Sequence, residues 1–237
     1  MDATPPSASA AESFAQMAVE LHASDGVENT VESAIQFAVQ ALGCRYAGVA
    51  LARAGHLEVP AVTEPVLAEI YRFQLDGGLG ALVECMRHRS TVLVRDTVLD
   101  GRWPEWAGKM LGLGIRSVLD VPLSTDDTTV VGVLGLYSTE PDAFTPADEE
   151  IAHIFARHAS VALRAARREA DLHLAVDSRH LVGQAVGILM ERYDLDANRA
   201  FEVLRRYSQD TNTKLREVAR QLIAERRLPT PPDSAES

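Results

Sequence analysis

Few residues of this chain have the type and spacing for covalent or metal chemistry. Cys44 and Cys85 are its two cysteines, which excludes a disulfide scaffold and a four-cysteine metal site. Both read as small buried hydrophobes rather than as a redox pair. The seven histidines include no His-Glu-x-x-His pair. His153 and His158 are five apart and share no helix face, so they make no ligand pair. Gly78-Leu79-Gly80 and Gly112-Leu113-Gly114 lack the spacing and the strand-to-helix setting of a dinucleotide fingerprint. Neither a Walker A loop nor a Gly-x-Ser-x-Gly elbow occurs. The sequence therefore predicts no enzyme, no metal and no cofactor. Trp103 and Trp106 stand out because aromatic residues make up only 5% of the chain. They either line a ligand pocket or seal a sheet.

The basic side chains offer a different chemistry. The chain carries a net charge of −11 over 237 residues, which taken whole argues against nucleic acid. The segment Ser178–Arg227 reverses that inference locally. It holds ten Arg/Lys and seven acids, an excess of +3, and leaves −14 on the remainder. Such asymmetry implies different partners for different parts of the chain. A cluster of Arg and Lys can track phosphates, and guanidinium planes stack on exposed bases.

The elements that must position these residues follow from periodicity. Residues 1–10 and 228–237 read as flexible tails. Helical spacing covers Glu12–Ala23 and Val27–Leu42, with Gly43 where a C-terminal cap is expected. Strand-like runs follow at Tyr46–Ala52, Thr91–Val94, Ser117–Leu123 and Val130–Tyr137. The last two are joined by a turn at Ser124–Thr128. Helical stretches lie around Glu64–Phe73, Leu79–His88 and Glu105–Leu111. This predicts an α+β domain, a sheet covered by helices.

From Thr145-Pro146-Ala147-Asp148 the pattern is helical throughout, with Thr as N-cap and acids in the first turn. Ile151, Ile154, His158, Val161, Ala165, Leu172 and Ala175 fall near heptad a/d spacing, with Arg168 occupying one such position. A long solitary helix cannot bury such a stripe alone, which predicts pairing with a second chain, while Ile151–Val161 also packs on the sheet. Three short segments end the chain: Val182–Tyr193, Ala197–Ser208 capped by Asp196, and Lys214–Glu225 capped by Thr211–Thr213. Their spacing predicts a three-helix bundle with Ala185, Ala200 and Leu204 in its core. No stretch is apolar enough to cross a membrane, and the N-terminus lacks the pattern of a secretory signal. With so few cysteines, the expected location is a reducing cytoplasm.

Two resemblances sharpen this reading. The run Ser178-Arg179-His180-Leu181-Val182-Gly183-Gln184-Ala185-Val186-Gly187-Ile188-Leu189-Met190-Glu191-Arg192 resembles the opening helix of the ANTAR domain. Ala200–Gln209, Asn212-Thr213-Lys214-Leu215 and Val218-Ala219 continue the match over about fifty residues. Val186 stands where many members carry Lys. Upstream, Leu113–Leu123, Gly132–Ser138 and Phe144–Glu150 look like the last third of a GAF domain. The Phe-x3-Asp-Glu piece there is a general domain-end signature that does not imply cyclic GMP, and no bilin-attaching Cys is identifiable. The domains expected are 11–160 (GAF-like sensor), 161–177 (connecting helix) and 178–227 (ANTAR).

The resemblance to ANTAR proteins implies a bacterial, signal-responsive regulator that binds paired stem-loops in leader transcripts and promotes transcription antitermination. It implies RNA contacts by Gln184, Gly187, Arg192, Arg205, Arg206, Ser208, Gln209, Asn212 and Lys214, converging on one edge of the bundle. Gly187 serves either close backbone approach or tight helix packing. A small-molecule ligand at the sensor and a homodimer are the other partners expected. A DNA-binding factor with the same sensor is the alternative, since three short basic helices also suit a helix-turn-helix. A GAF-type sulfoxide reductase is a third reading, and it would need reactive thiols.

Overall fold

The computed structural model describes residues 19, 21, 26–53, 56–124 and 130–226. Both tails, most of Glu12–Ala23 and the greater part of the Ser124–Thr128 turn lie outside the described residues. The chain divides into two compact units, Met1–Arg167 and Arg168–Ser237.

The first unit has the expected α+β architecture. In chain order come α1 (Gly26–Leu42), β1 (Tyr46–Arg53), β2 (His56–Val62), α2 (Pro65–Gly77), α3 (Ala81–His88), β3 (Val92–Val94), α4 (Pro104–Gly112), β4 (Ser117–Ser124), β5 (Val130–Ser138) and the start of α5 (Pro146–Tyr193). The strands form one antiparallel sheet in the order β2-β1-β5-β4-β3. Gly43 ends α1 at φ 59°, the left-handed position that glycine adopts without strain. Strand β2 is absent from the sequence reading. Pro60 removes a ladder donor, but β2 is an edge strand, where that is tolerated.

Alternating side chains give the sheet two cores. Val49, Leu51, Leu119, Val121, Leu134 and Leu136 face one side, packed with α1 and the first part of α5. Val118, Val133 and Tyr137 face the other with α2, α3 and α4. The central strands are thus buried on both faces and read as near-continuous apolar runs.

Helix α5 begins as its sequence directs. Thr145 N and Thr145 Oγ1 donate to Asp148 Oδ2 at 2.8 and 2.7 Å, a capping box closed by Pro146 at the first helical position. The stripe it lays on the sheet differs from the expected one. Ala152, Phe155, Ala156, Ala159 and Leu163 are buried, whereas Ile154 and Val161 are 45% and 46% exposed. The small residues allow close approach to the sheet, so they win that face and turn the heptad stripe outward.

In the second unit, the last part of α5 packs with α6 (Ala197–Asp210) and α7 (Leu215–Glu225). Ala185, Leu189, Ala200, Leu204, Val218, Ala219 and Leu222 form the core. The expected bundle is present, but its first helix is no separate segment. Helix α5 runs 48 residues without a break at Gly183. One glycine costs a helix only about 1 kcal/mol, and Leu181, Val182, Ala185 and Leu189 around it pack into the bundle.

Candidate functional site

The bundle distributes the expected RNA residues over three places. Ser208, Gln209, Asn212 and Lys214 come together at the joint between α6 and α7. Ser208 Oγ donates to the Thr213 carbonyl at 2.6 Å, and Asn212 N donates to the Gln209 carbonyl at 3.2 Å. Asn212 takes φ 49°, a left-handed turn its short polar side chain tolerates. Asp196 caps α6 by accepting from Arg199 N at 2.9 Å. The threonines do not cap α7 as expected. Thr211 Oγ1 instead donates to the Tyr207 carbonyl at 2.8 Å and Thr213 Oγ1 to the Thr211 carbonyl at 3.2 Å, leaving exposed Lys214 at the N-cap. Arg206 is one helical turn from this joint and pairs with Asp210 at 3.8 Å, while Arg205 pairs with Glu202 at 2.6 Å.

Arg192 lies elsewhere. Its guanidinium donates to the carbonyl of Arg226 at the far end of α7, roughly 17 Å along that helix from Lys214 at ~1.5 Å per residue. Gln184 forms the third place. It lines an open cleft between α5 and α7 with Ser178, His180, Arg216 and Arg220. Sequence reasoning did not select Arg216 and Arg220; the signal was their spacing of four, which puts both on one face of α7. Gly187 is exposed, and a Cβ added there would meet nothing within 4 Å, so it serves no close helix packing within this chain. Val186, by contrast, packs against the bundle core.

The first unit holds a second polar constellation, on the face covered by α2, α3 and α4. Gly48, Gly135 and Asp120 stand in register across β1, β5 and β4. The two glycines leave a depression in the sheet, and phenol groups settle into it. A Cβ on Gly135 would lie 2.3 Å from Tyr137 Oη, 2.5 Å from Tyr71 Oη and 2.8 Å from Asp120 Oδ1. One on Gly48 would lie 2.8 Å from Tyr71 Oη. The rings of Tyr71 and Tyr137 meet edge to face at 6.2 Å. Both tyrosines and Asp120 are fully buried; the Tyr71 and Tyr137 hydroxyls interact with each other, and Asp120 Oδ1 has no hydrogen-bond partner among the described residues. Nor do Trp106 Nε1 and Gln74 Nε2. Burial pushes the Asp120 carboxyl up to about 8 and both phenols well above their ordinary range.

Trp106 sits in this core at 1% exposure, and Trp103 packs against its ring at 5.5 Å. Arg102 stacks over Trp103 at 4.4 Å while holding Asp100, and Lys109 stands over Phe73 at 4.6 Å. Both cysteines are buried and free; burial pushes Cys44 up to about 11 and Cys85 higher still. Among the described residues no group of three or more His, Cys, Asp or Glu is placed to hold a metal. The sequence carried one signal for the Asp120 cluster, an acid inside the apolar run Ser-Val-Leu-Asp-Val. Tyr71 comes from a separate helix and gave none.

Models of protein families match residues 26–163 to the GAF domain and 170–223 to the ANTAR domain. The chain belongs to the GAF family. It carries an ANTAR domain as well, and the bundle of α5, α6 and α7 is that domain. Solved structures repeat the GAF architecture at low identity. The free methionine-R-sulfoxide reductase of Neisseria meningitidis is 17% identical with a TM-score of 0.54, over 71% of this chain and 96% of that one. The GAF domain of a phosphoenolpyruvate-protein phosphotransferase from Coxiella burnetii is 15% identical with a TM-score of 0.53, over 68% and 96%. A bacteriophytochrome from R. palustris is 12% identical with a TM-score of 0.59, over 89% and 48%. At these identities the likeness is one of fold. The comparison with curated proteins returns no match. Among the described residues no helix is long and apolar enough to cross a membrane.

Proposed function

We propose that this GAF and ANTAR protein is a cytoplasmic, signal-responsive RNA-binding regulator that engages stem-loops in leader transcripts and promotes antitermination. The observation that carries the reading is the ANTAR match over 170–223, on a bundle that presents Arg192, Arg205, Arg206, Lys214 and Arg220 outward. A small molecule in the GAF domain biases one of two arrangements of the long helices in a homodimer. The exposed positions Ile154, Val161, Leu172 and Val176 on α5 support that pairing. We read the chain as no enzyme: its thiols are buried and held protonated, the opposite of a reactive thiolate.

The test is titration of a dual-hairpin leader RNA against the full chain. Arg192→Ala combined with Arg206→Ala is expected to weaken binding at least about tenfold and to flatten the salt dependence by up to about two phosphate contacts. Unaltered affinity in that variant would remove the proposed surface. Duplex DNA outcompeting the hairpin would favour the DNA-binding alternative.

A further inference from the structure

The cleft between α5 and α7 lies wholly within the ANTAR bundle and has a volume of about 370 Å³, inside the roughly 300–1,000 Å³ range of small-ligand sites. Leu174 and Leu181 supply its apolar wall, and Asp177, Gln184, Arg216 and Arg220 its polar groups. Arg220 is tied to Glu217 at 2.6 Å. Arg216 and Asp177 are not tied in this way. Among the described residues neither side chain takes a hydrogen bond or an ion pair, although Arg216 is half-buried. A guanidinium and a carboxylate thus line one cleft without closing on each other.

That combination of groups selects the occupant. A bare phosphate would suit the arginines, but Asp177 would repel it, and a cation meets the reverse conflict. The occupant needs an acceptor edge for Arg216, a donor edge for Asp177 and flat apolar faces for Leu174 and Leu181. Among RNA bases guanine has both edges. Its O6 and N7 accept side by side and match a guanidinium fork, and its N1–H and N2–H donate side by side and match a carboxylate. Gln184 both donates and accepts, so it suits either edge. The place of the cleft on the bundle fits the same occupant. Arg216 follows Lys214 by two residues, about 3 Å along α7, so the cleft adjoins the joint that holds Asn212 and Lys214. Unpaired loop bases of RNA splay outward and offer their edges to such a site.

Resting on the reading of the bundle as an RNA-binding domain, we infer that this cleft is a base-reading subsite for one unpaired guanine of a hairpin loop. Arg216 donates to O6 and N7, and Asp177 accepts from N1–H and N2–H. These two residues set specificity, whereas Lys214 and Arg206 supply phosphate contacts that carry no sequence information.

The test uses the full chain and a dual-hairpin leader RNA with guanine in its loops. Two further versions of that RNA carry inosine or 7-deazaguanine at every loop guanine; inosine lacks the N2 amine and 7-deazaguanine lacks N7. The wild type is expected to bind each modified RNA about tenfold or more weakly than the unmodified one. Arg216→Ala should weaken binding of the unmodified RNA about tenfold and no longer distinguish 7-deazaguanine from guanine, while still distinguishing inosine. Asp177→Ala should show the opposite pattern. The sensitivity each variant keeps reports that its bundle is folded. Equal affinity of the wild type for the three RNAs would overturn the proposal. So would variants that lose affinity while keeping both sensitivities, since Arg216 would then be a phosphate contact only. If the wild type binds none of the hairpins, the RNA-binding reading itself fails, a result distinct from either of these.

Discussion

Asp120 ties the stability of the GAF core to pH. Its carboxyl is raised to about 8 in the fold, against about 4 in the unfolded chain. Between those values the folded state holds a proton that the unfolded state has lost, so stability is fully present below pH 4 and declines as pH rises toward 8. The slope reaches about 1.4 kcal/mol per pH unit at most. Urea midpoints at pH 5, 6, 7 and 8 should show this decline in the wild type relative to Asp120→Asn, whose amide does not titrate. Parallel profiles for the two proteins would mean that the carboxyl is not held neutral. The cysteines add a decline of the same sign only above about pH 8, where unfolded thiols ionise while burial keeps the folded ones protonated.

At the level of elements, glycines separate the two units by what surrounds them. In β5, a Cβ on Gly132 would lie 2.2 Å from the Ala50 carbonyl, a backbone atom that cannot swing aside. Gly132→Ala should therefore destabilise the first unit by about 2 kcal/mol or more in chemical denaturation. In α5, Gly183 and Gly187 face open space. Gly187→Ala should raise stability by about 0.5–1 kcal/mol, and if the backbone there meets RNA, hairpin affinity should fall in the same protein. Helix and strand types were legible wherever periodicity was unopposed, as in α1, β4 and β5. Edge strand β2 was hidden by Pro60, and the separate segment expected from Val182 is the continuation of α5, whose Leu181, Val182 and Ala185 pack into the bundle. The meeting of Ser208, Gln209, Asn212 and Lys214 at the α6–α7 joint was legible because these turn residues are contiguous. The Asp120 cluster was not, because Tyr71, Asp120 and Tyr137 meet only through strand register and the packing of α2.

For the whole molecule, the acidic excess and the outward heptad stripe make separate demands. On the proposed function, an acidic body would repel RNA everywhere except at the basic bundle, which would confine binding and make two bundles acting together far stronger than one. Pairing through Val161 and Leu172, 46% and 59% exposed, would supply the second bundle. Val161→Glu with Leu172→Glu should halve the mass seen by native mass spectrometry and weaken dual-hairpin binding at least about tenfold, with single-hairpin binding much less affected. An unchanged mass would place the pairing surface elsewhere. The cations themselves are arginine almost throughout, and the chain has two lysines, Lys109 and Lys214. One stands over the Phe73 ring in the first unit, the other at the exposed N-cap of α7 in the joint beside Asn212. Amine-selective acylation therefore has two side-chain targets in the whole protein, one of them an internal standard and the other a built-in footprinting reporter: bound hairpin should shield Lys214 and leave the yield at Lys109 unchanged.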